Sequence, residues 1–102
     1  MDIFYALSAP IRRQIVELLA EGNKLAASVI AENFNVSPSA ISQHLKVLLE
    51  ADILQMHKAA QQRLYELNPD ALKELETWVE QMSKPFDVLG SFVTTEGKEK
   101  TT

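Results

Sequence analysis

The chain has 102 residues, 46% hydrophobic and 24% charged, which defines one small globular domain. It has no cysteine, so disulfides, thiolate metal sites and thiol redox sensing are excluded. Its net charge is −4, an unexpected sign for a polyanion binder, yet residues 66–102 carry eight acidic and four basic groups, whereas residues 37–65 carry Lys46, Lys58 and Arg63 against Glu50 and Asp52. A local positive patch outweighs the total where the screening length is ~8 Å. No apolar run approaches the ~18 residues that span a bilayer, and the first residues do not form a secretory signal, so the cytoplasm is the expected location.

Residues 1–8 place Ile3, Phe4 and Leu7 at helical spacing and predict a short first helix. Pro10 suits the first turn of a second helix, where its missing N–H costs little. That helix is expected over residues 10–20, with Ile11, Ile15, Leu18 and Leu19 as its apolar stripe and Gly22-Asn23 as its stop. A third helix is expected over residues 26–34, with Val29, Ile30 and Phe34 facing inward and Ala31 at a close crossing. Asn35 sits where the chain reverses, because Asn tolerates the left-handed backbone, and Val36 is expected to return to the core.

Ser37 is a good N-cap and Pro38 a good first helical residue for a helix over Pro38–Glu50. At ~100° per residue, Ile41, Leu45 and Leu48 share one face, and Ser39, Ser42, Gln43, Lys46 and Glu50 lie opposite. Strands are expected over residues 53–57 and Gln62–Leu67. The connection between them lacks glycine. A two-residue primed turn would need positive φ at both Ala59 and Ala60, so a looser loop around a type I turn is expected. Asn68-Pro69 caps a last helix whose apolar face holds Leu72, Leu75, Trp78, Val79 and Met82. Pro85 is expected to end or kink it, residues 86–93 to form a further apolar turn, and residues 94–102 to be a disordered polar tail after a single 1–93 domain.

A short helix, a turn, a second helix with a polar outer face and then a hairpin make a winged helix-turn-helix, mainly α, in the order α-α-α-α-β-β-α. That order points to a helix placed in a groove of double-stranded DNA. An ordinary solvated helix face carries more Glu and Lys and fewer Ser than Ser39, Ser42, Gln43 and Lys46 provide; Ala40 completes the contact set. Gln43 has the geometry to pair bidentately with adenine, and Lys46 reaches guanine or phosphate. Ser37 and Ser39 stand near the positive helix N-terminus where a phosphate would sit, although Ser37 serves equally well as a cap alone. Lys58, Gln61, Gln62 and Arg63 surround the wing tip, either as phosphate contacts or as a plain polar hairpin end. Arg12 and Arg13 are consecutive and point apart: one is expected on phosphate, the other in an ion pair with Glu17. His44 borders the apolar stripe and is expected to make a buried structural hydrogen bond, while His57 is expected in solvent. Two histidines without a third ligand do not make a zinc site. No nucleophile–base–orienter set is visible, and Ser42 and His44, two apart on a helix, do not face each other, so no enzyme is expected.

The segments ALSAPIRRQIVELLAEG, VIAENFNVSPSAISQHLKVLLEADIL and QRLYELNP resemble ArsR-type winged-helix repressors over roughly residues 4–80. The resemblance implies a homodimer built from the first and last helices, binding a two-fold operator and repressing transcription. Ile3, Phe4, Leu7, Leu72, Leu75, Trp78, Val79 and Met82 are then the dimer residues; the alternative is packing within one chain. Many members sense metals, and this chain departs from their patterns. Where one type has C-x-C, this chain reads Lys24-Leu25-Ala26-Ala27-Ser28-Val29; the last helix has Asp70, Glu74, Glu76 and Glu80 but no His. No metal or other cofactor is expected. A regulatory protein or small-molecule effector is not identified by these residues. The competing reading, favoured by the acidic balance, is a winged-helix protein-interaction module without specific DNA binding.

Overall fold

The computed structural model describes residues 2–94, with side chains described through residue 84. Asp2 starts the first helix, α1 (Ile3–Ala6): its carboxylate accepts from the Phe4 N–H at 2.9 Å. Helix α2 (Pro10–Leu19) begins at the expected proline and buries Ile15 and Leu19. Its stop is Gly22, at φ +91°.

A short strand, β1 (Leu25–Ala26), follows, whose second residue lies inside the helix expected over residues 26–34. Two residues are too few to show a period-2 signal, and β1 exists only because it pairs with a distant strand. Helix α3 is therefore shorter than expected, Ala27–Glu32. Ile30 is buried, but Val29 and Val36 are exposed rather than in the core. One turn and a half of helix presents a narrow inner face, and Ile30 fills it. Asn35 does not take a left-handed conformation; the chain reverses without it over residues 33–37.

Helix α4 (Pro38–Glu50) has the expected bounds. Ser37 Oγ accepts from the Ala40 N–H at 3.1 Å, satisfying one of the first-turn donors. Its end is a paired-bond C-cap: the Asp52 N–H donates to the Leu49 carbonyl and the Ile53 N–H to the Leu48 carbonyl, both at 3.0 Å, with Asp52 at φ +59°. Leu48 and Ile53, the apolar pair that accompanies such a cap, are both fully buried.

Strands β2 (Leu54–Ala59) and β3 (Gln62–Leu67) form the hairpin. The three-stranded antiparallel sheet has the order β1-β3-β2, with Leu25 opposite Tyr65 and Leu54 opposite Leu67. The expected loose loop is not there. Ala59 pairs with Gln62, so the connection is the two residues Ala60-Gln61. Positive φ is needed at Ala60 alone (+57°), the pattern of a type II′ turn, which lowers the strain that two left-handed alanines would carry.

Asn68 joins the hairpin to the last helix, α5 (Pro69–Thr94). Its Oδ1 accepts from the Asp70 N–H, and its Nδ2 donates to the Asp52 carbonyl at the end of α4. Helix α5 does not end at Pro85, and residues 86–93 are part of it rather than a separate turn. A proline removes one interior hydrogen bond and crowds one carbonyl, and turns on either side carry the helix past it. Of the tail expected over residues 94–102, Thr94 is instead the last residue of α5, and the rest lies outside the described residues. By their internal contacts residues 1–72 and 73–102 form two units. The core of the first is Ile15, Leu19, Ile30, Ile41, Leu45, Leu48 and Ile53, all essentially inaccessible to solvent.

Candidate nucleic-acid interface

Helix α4 is a two-sided element. Its inner face, Ile41, Leu45 and Leu48, is buried, and it packs on α1, α2, α3 and β2. At roughly 1.5–3 kcal/mol for each buried Leu or Ile, that face anchors the helix strongly. Its outer face is the expected one: Ser37, Ser39, Ser42, Gln43 and Lys46 are exposed, and Ala40 is half-buried. Among the described residues, Ser42, Gln43 and Lys46 spend no side-chain hydrogen bond on the rest of the chain, while Ser39 Oγ lies 3.2 Å from the capping Ser37 Oγ. Serine, amide and ammonium groups thus stand together in solvent, held by a rigid backbone.

At the wing tip, Lys58, Gln61, Gln62 and Arg63 are all exposed. Lys58 and Arg63 are direct cross-strand partners. Like charges so placed repel, and an anion between them removes the repulsion. Lower on the same hairpin, His57 Nε2 meets Glu66 Oε2, which also accepts from Gln55 Nε2 at 3.1 Å. The bond from His57 is the main reason that the Glu66 carboxyl is held below its ordinary range. His57, though partly in solvent as expected, is therefore occupied.

The two flank arginines part company. Arg13 is exposed and donates to the Leu7 carbonyl; neither it nor Arg12 pairs with Glu17. Arg12, expected on the surface as a phosphate contact, is turned inward and only 8% exposed. Its Nε donates to the Ala6 carbonyl at 2.7 Å and its Nη2 to the Tyr5 carbonyl at 3.3 Å, and the guanidinium carbon lies 5.4 Å from the Tyr5 ring centroid. Its Nη1 donates to His44 Nδ1 at 3.3 Å. A helix of four residues leaves its last carbonyls without helical partners; Arg12 satisfies that of Ala6 and adds a longer bond to that of Tyr5, which already accepts from the Ser8 N–H and hydroxyl. His44 makes the structural hydrogen bond expected of it, and burial followed by the Arg12 charge holds its pKa below the ordinary value. The partners are 32 residues apart, so no local sequence signal links them.

Of the apolar residues assigned to dimer contact, Ile3 is buried inside its own unit and is core. Leu7, Leu72 and Leu75 are half-buried. Phe4, Trp78, Val79 and Met82 are 42–50% exposed. Neither metal pattern of the resembled family has its donor atoms here: residues 24–29 offer no thiol and residues 69–84 no imidazole. Among the described residues, no three His, Asp or Glu side chains gather at one point.

Residues 9–55, which run from the start of α2 through α4 to the wing, match the family of bacterial regulatory proteins described as the arsR family. The transcriptional repressor SdpR of Bacillus subtilis (strain 168) is 38% identical over 78 residues, 76% of this chain and 86% of the repressor. The chain belongs to the ArsR family. A second relative, the HTH-type transcriptional regulator Rv2034 of Mycobacterium tuberculosis, is 44% identical over 71% of this chain and 66% of its own length. A crystal structure of a possible transcriptional regulator for arsenical resistance superposes with a TM-score of 0.74 at 31% identity, covering 97% of this chain and 99% of that one. As an ArsR-family member the chain is a DNA-binding transcriptional repressor, and the fold is the family's winged helix-turn-helix. Among the described residues no helix is long and apolar enough to cross a membrane.

Proposed function

We propose that this ArsR-family chain is a sequence-specific repressor that binds a pseudo-palindromic operator as a two-fold homodimer and excludes polymerase from the promoter. The observation that carries the reading is the outer face of α4: Ser39, Ser42, Gln43 and Lys46 exposed together on a helix whose other face is buried. Gln43 reads adenine through its amide, Lys46 reads guanine or phosphate, and Ser37 and Ser39 donate to phosphate at the helix start. Ala40, the small residue among them, lets the helix approach the bases. Lys58, Gln61, Gln62 and Arg63 hold the flanking backbone, where a phosphate relieves the Lys58–Arg63 repulsion. Arg13 adds a contact beside α2; Arg12, committed inside the protein, does not.

The second copy covers the exposed apolar side chains. Leu75, Trp78, Val79 and Met82 recur at spacings of three, one and three on α5, which lines one side of a helix. Leu72 opens the stripe, and in the first unit Phe4 and Leu7 are the apolar groups assigned to the contact. A standard interface covers ~800 Å² per partner, and at ~25 cal/mol per Å² of apolar area it has ample driving force. Two copies then present two α4 helices to successive major grooves.

The test is fluorescence anisotropy on DNA from upstream of the chain's own gene, against a scrambled duplex of equal length. Gln43→Ala is expected to cost about 1–3 kcal/mol per half-site on the operator and little on scrambled DNA. Lys58→Ala is expected to weaken both and to lower the salt slope by about 1 per half-site. Equal affinity for operator and scrambled DNA in the unsubstituted chain defeats the reading and favours a protein-interaction module.

A further inference from the structure

We infer that Arg12 is a positioning residue for the recognition helix α4, and that its bond to His44 makes the chain release operator DNA in acid. The inference rests on the operator reading above. It concerns how the groove-facing helix is held, not what that helix reads.

Arg12 ties three elements at one point. It grows from α2, donates to the carbonyls of Tyr5 and Ala6 at the end of α1, and donates to His44 on α4. Arginine has five donors and no acceptor, so the His44 Nδ1 that faces it must carry a lone pair. The neutral ring proton is therefore on Nε2. A second proton can go only to Nδ1, the atom that receives the bond. Protonation then does more than weaken the contact: it turns the acceptor into a donor and sets an imidazolium against a guanidinium in a half-buried place. No anion among the described residues compensates. Among the charged and titratable groups on the elements packed against α4, Arg12 alone bears on the ring; Asp2 and Tyr5 beside and on α1, Arg13 and Glu17 on α2, Glu32 on α3, and His57 and Lys58 on β2 do not.

Three positions connect this bond to the groove face. Gln43 precedes His44 directly, Lys46 follows two residues on, and Ala40 lies one turn before. When the His44 side of α4 is pushed from α2, all three move. The direction of the effect is diagnostic. Acid adds positive charge to a DNA-binding protein and ordinarily tightens its grip on phosphate. Here acid loosens it, because the proton enters a contact that seats the helix.

The experiment uses the full chain and a fluorescent operator duplex, with anisotropy read from pH about 7.5 to about 5.5, the range in which histidine titrates. His44→Asn keeps an acceptor or donor-neutral amide near the Nδ1 position and cannot take up the proton. His57→Gln removes the other histidine. The unsubstituted chain and His57→Gln are expected to lose operator affinity severalfold across that range, because the seated helix takes up the proton less readily than the released one. His44→Asn is expected to show no loss in acid relative to its own affinity at the upper pH. If His44→Asn loses affinity in parallel with the unsubstituted chain, or if affinity rises in acid in both, the inference is overturned. If no operator is bound at any pH, the operator reading itself has failed, and the tie is judged without DNA. Ring NMR then either finds His44 protonated on Nε2 alone at the upper pH, with amide exchange in α1 and α4 quickening as it takes its second proton, or finds no such coupling, which refutes the tie.

Discussion

Single residues in this chain show two departures from the ordinary, a left-handed alanine and two depressed pKa values. Ala60 sits at φ +57° in a two-residue turn, where a Cβ costs roughly 1–2 kcal/mol and glycine costs nothing sterically. Allowing for the greater freedom of glycine in the unfolded chain, Ala60→Gly is expected to stabilise the fold by about 0.5–1 kcal/mol in urea titration, and Ala60→Val to destabilise it by at least as much. An unchanged midpoint in both variants contradicts the turn geometry. His44 and Glu66 both have pKa values below their ordinary 6.5 and 4.5. In each case the folded chain binds the proton less readily than the unfolded one, so the stabilisation is complete above the ordinary value and lost as pH falls through the folded one. Thermal unfolding should therefore decline in two steps, one beginning near 6.5 and the other below 4.5. His44→Asn should remove the upper step and Glu66→Gln the lower; a profile that keeps both steps in both variants refutes the assignment. Of these three residues only His44 was legible in part, as a histidine bordering the apolar stripe; its partner, and the states of Ala60 and Glu66, were not. Ala60 is a poor turn residue that the tight hairpin uses regardless, and the partners of His44 and Arg12 lie a helix or more away.

At the scale of elements, legibility followed the length of the repeating pattern. Helix α4 was readable to both ends, because Ser37-Pro38 is a strong start signal and three apolar residues recur over thirteen positions. The polar outer face of the candidate site was readable for the same reason: once Ile41, Leu45 and Leu48 define the inside, geometry defines the outside. Strand β1 was not readable, since two residues have no period and the pairing partner of Leu25, Tyr65, is remote. Helix α3 was overextended by one residue at its start, which that pairing fixes, and by two at its end, where Asn33 and Phe34 already belong to the turn. The inward turn of Arg12 was illegible because a charged residue at a helix start is ordinarily solvated, and the groups that draw it in, the Ala6 carbonyl at the end of the very short α1 and the His44 ring on α4, are not marked by any local pattern. Asn68 was legible as a cap but not as a joint. It accepts from Asp70 at the head of α5 and also donates to the carbonyl of Asp52, so one side chain ties the end of α4 to the exit of the wing. Asn68→Asp keeps the cap and loses the donor, whereas Asn68→Ala loses both. The alanine variant is expected to cost about 1–2 kcal/mol by denaturant unfolding, and the aspartate variant about half of that. Equal losses would mean that the cap on Asp70 contributes nothing, and no loss in the aspartate variant that the bond to Asp52 contributes nothing.

At the scale of the whole molecule, salt acts on two proposed equilibria with opposite signs. Within residues 69–84, α5 carries Asp70, Glu74, Glu76 and Glu80 against Lys73 and Lys84, so each copy brings a net negative helix to the proposed interface. The apolar side chains Trp78, Val79 and Met82 pull two copies together while these carboxylates push them apart. The push is screened as the Debye length falls from about 10 Å at 0.1 M salt to about 3 Å at 1 M. Binding of DNA has the reverse dependence, because each cation on a phosphate releases a counterion. Sedimentation without DNA should therefore find a tighter dimer at high salt, and anisotropy with protein held well above the dimer constant should find weaker operator binding. At protein concentrations near the dimer constant the two effects oppose each other, and the salt slope for operator binding should flatten. Met82→Lys separates them. Met82 is half-exposed in the single chain, so the substitution should leave monomer stability within about 0.5 kcal/mol. In a dimer the same lysine enters an apolar seam, and the expected result is a monomer that retains weak half-site affinity and has a salt slope free of flattening. A Met82→Lys chain that still sediments as a dimer would show that the stripe on α5 faces something other than a second copy, and the two-fold operator would lose its physical basis.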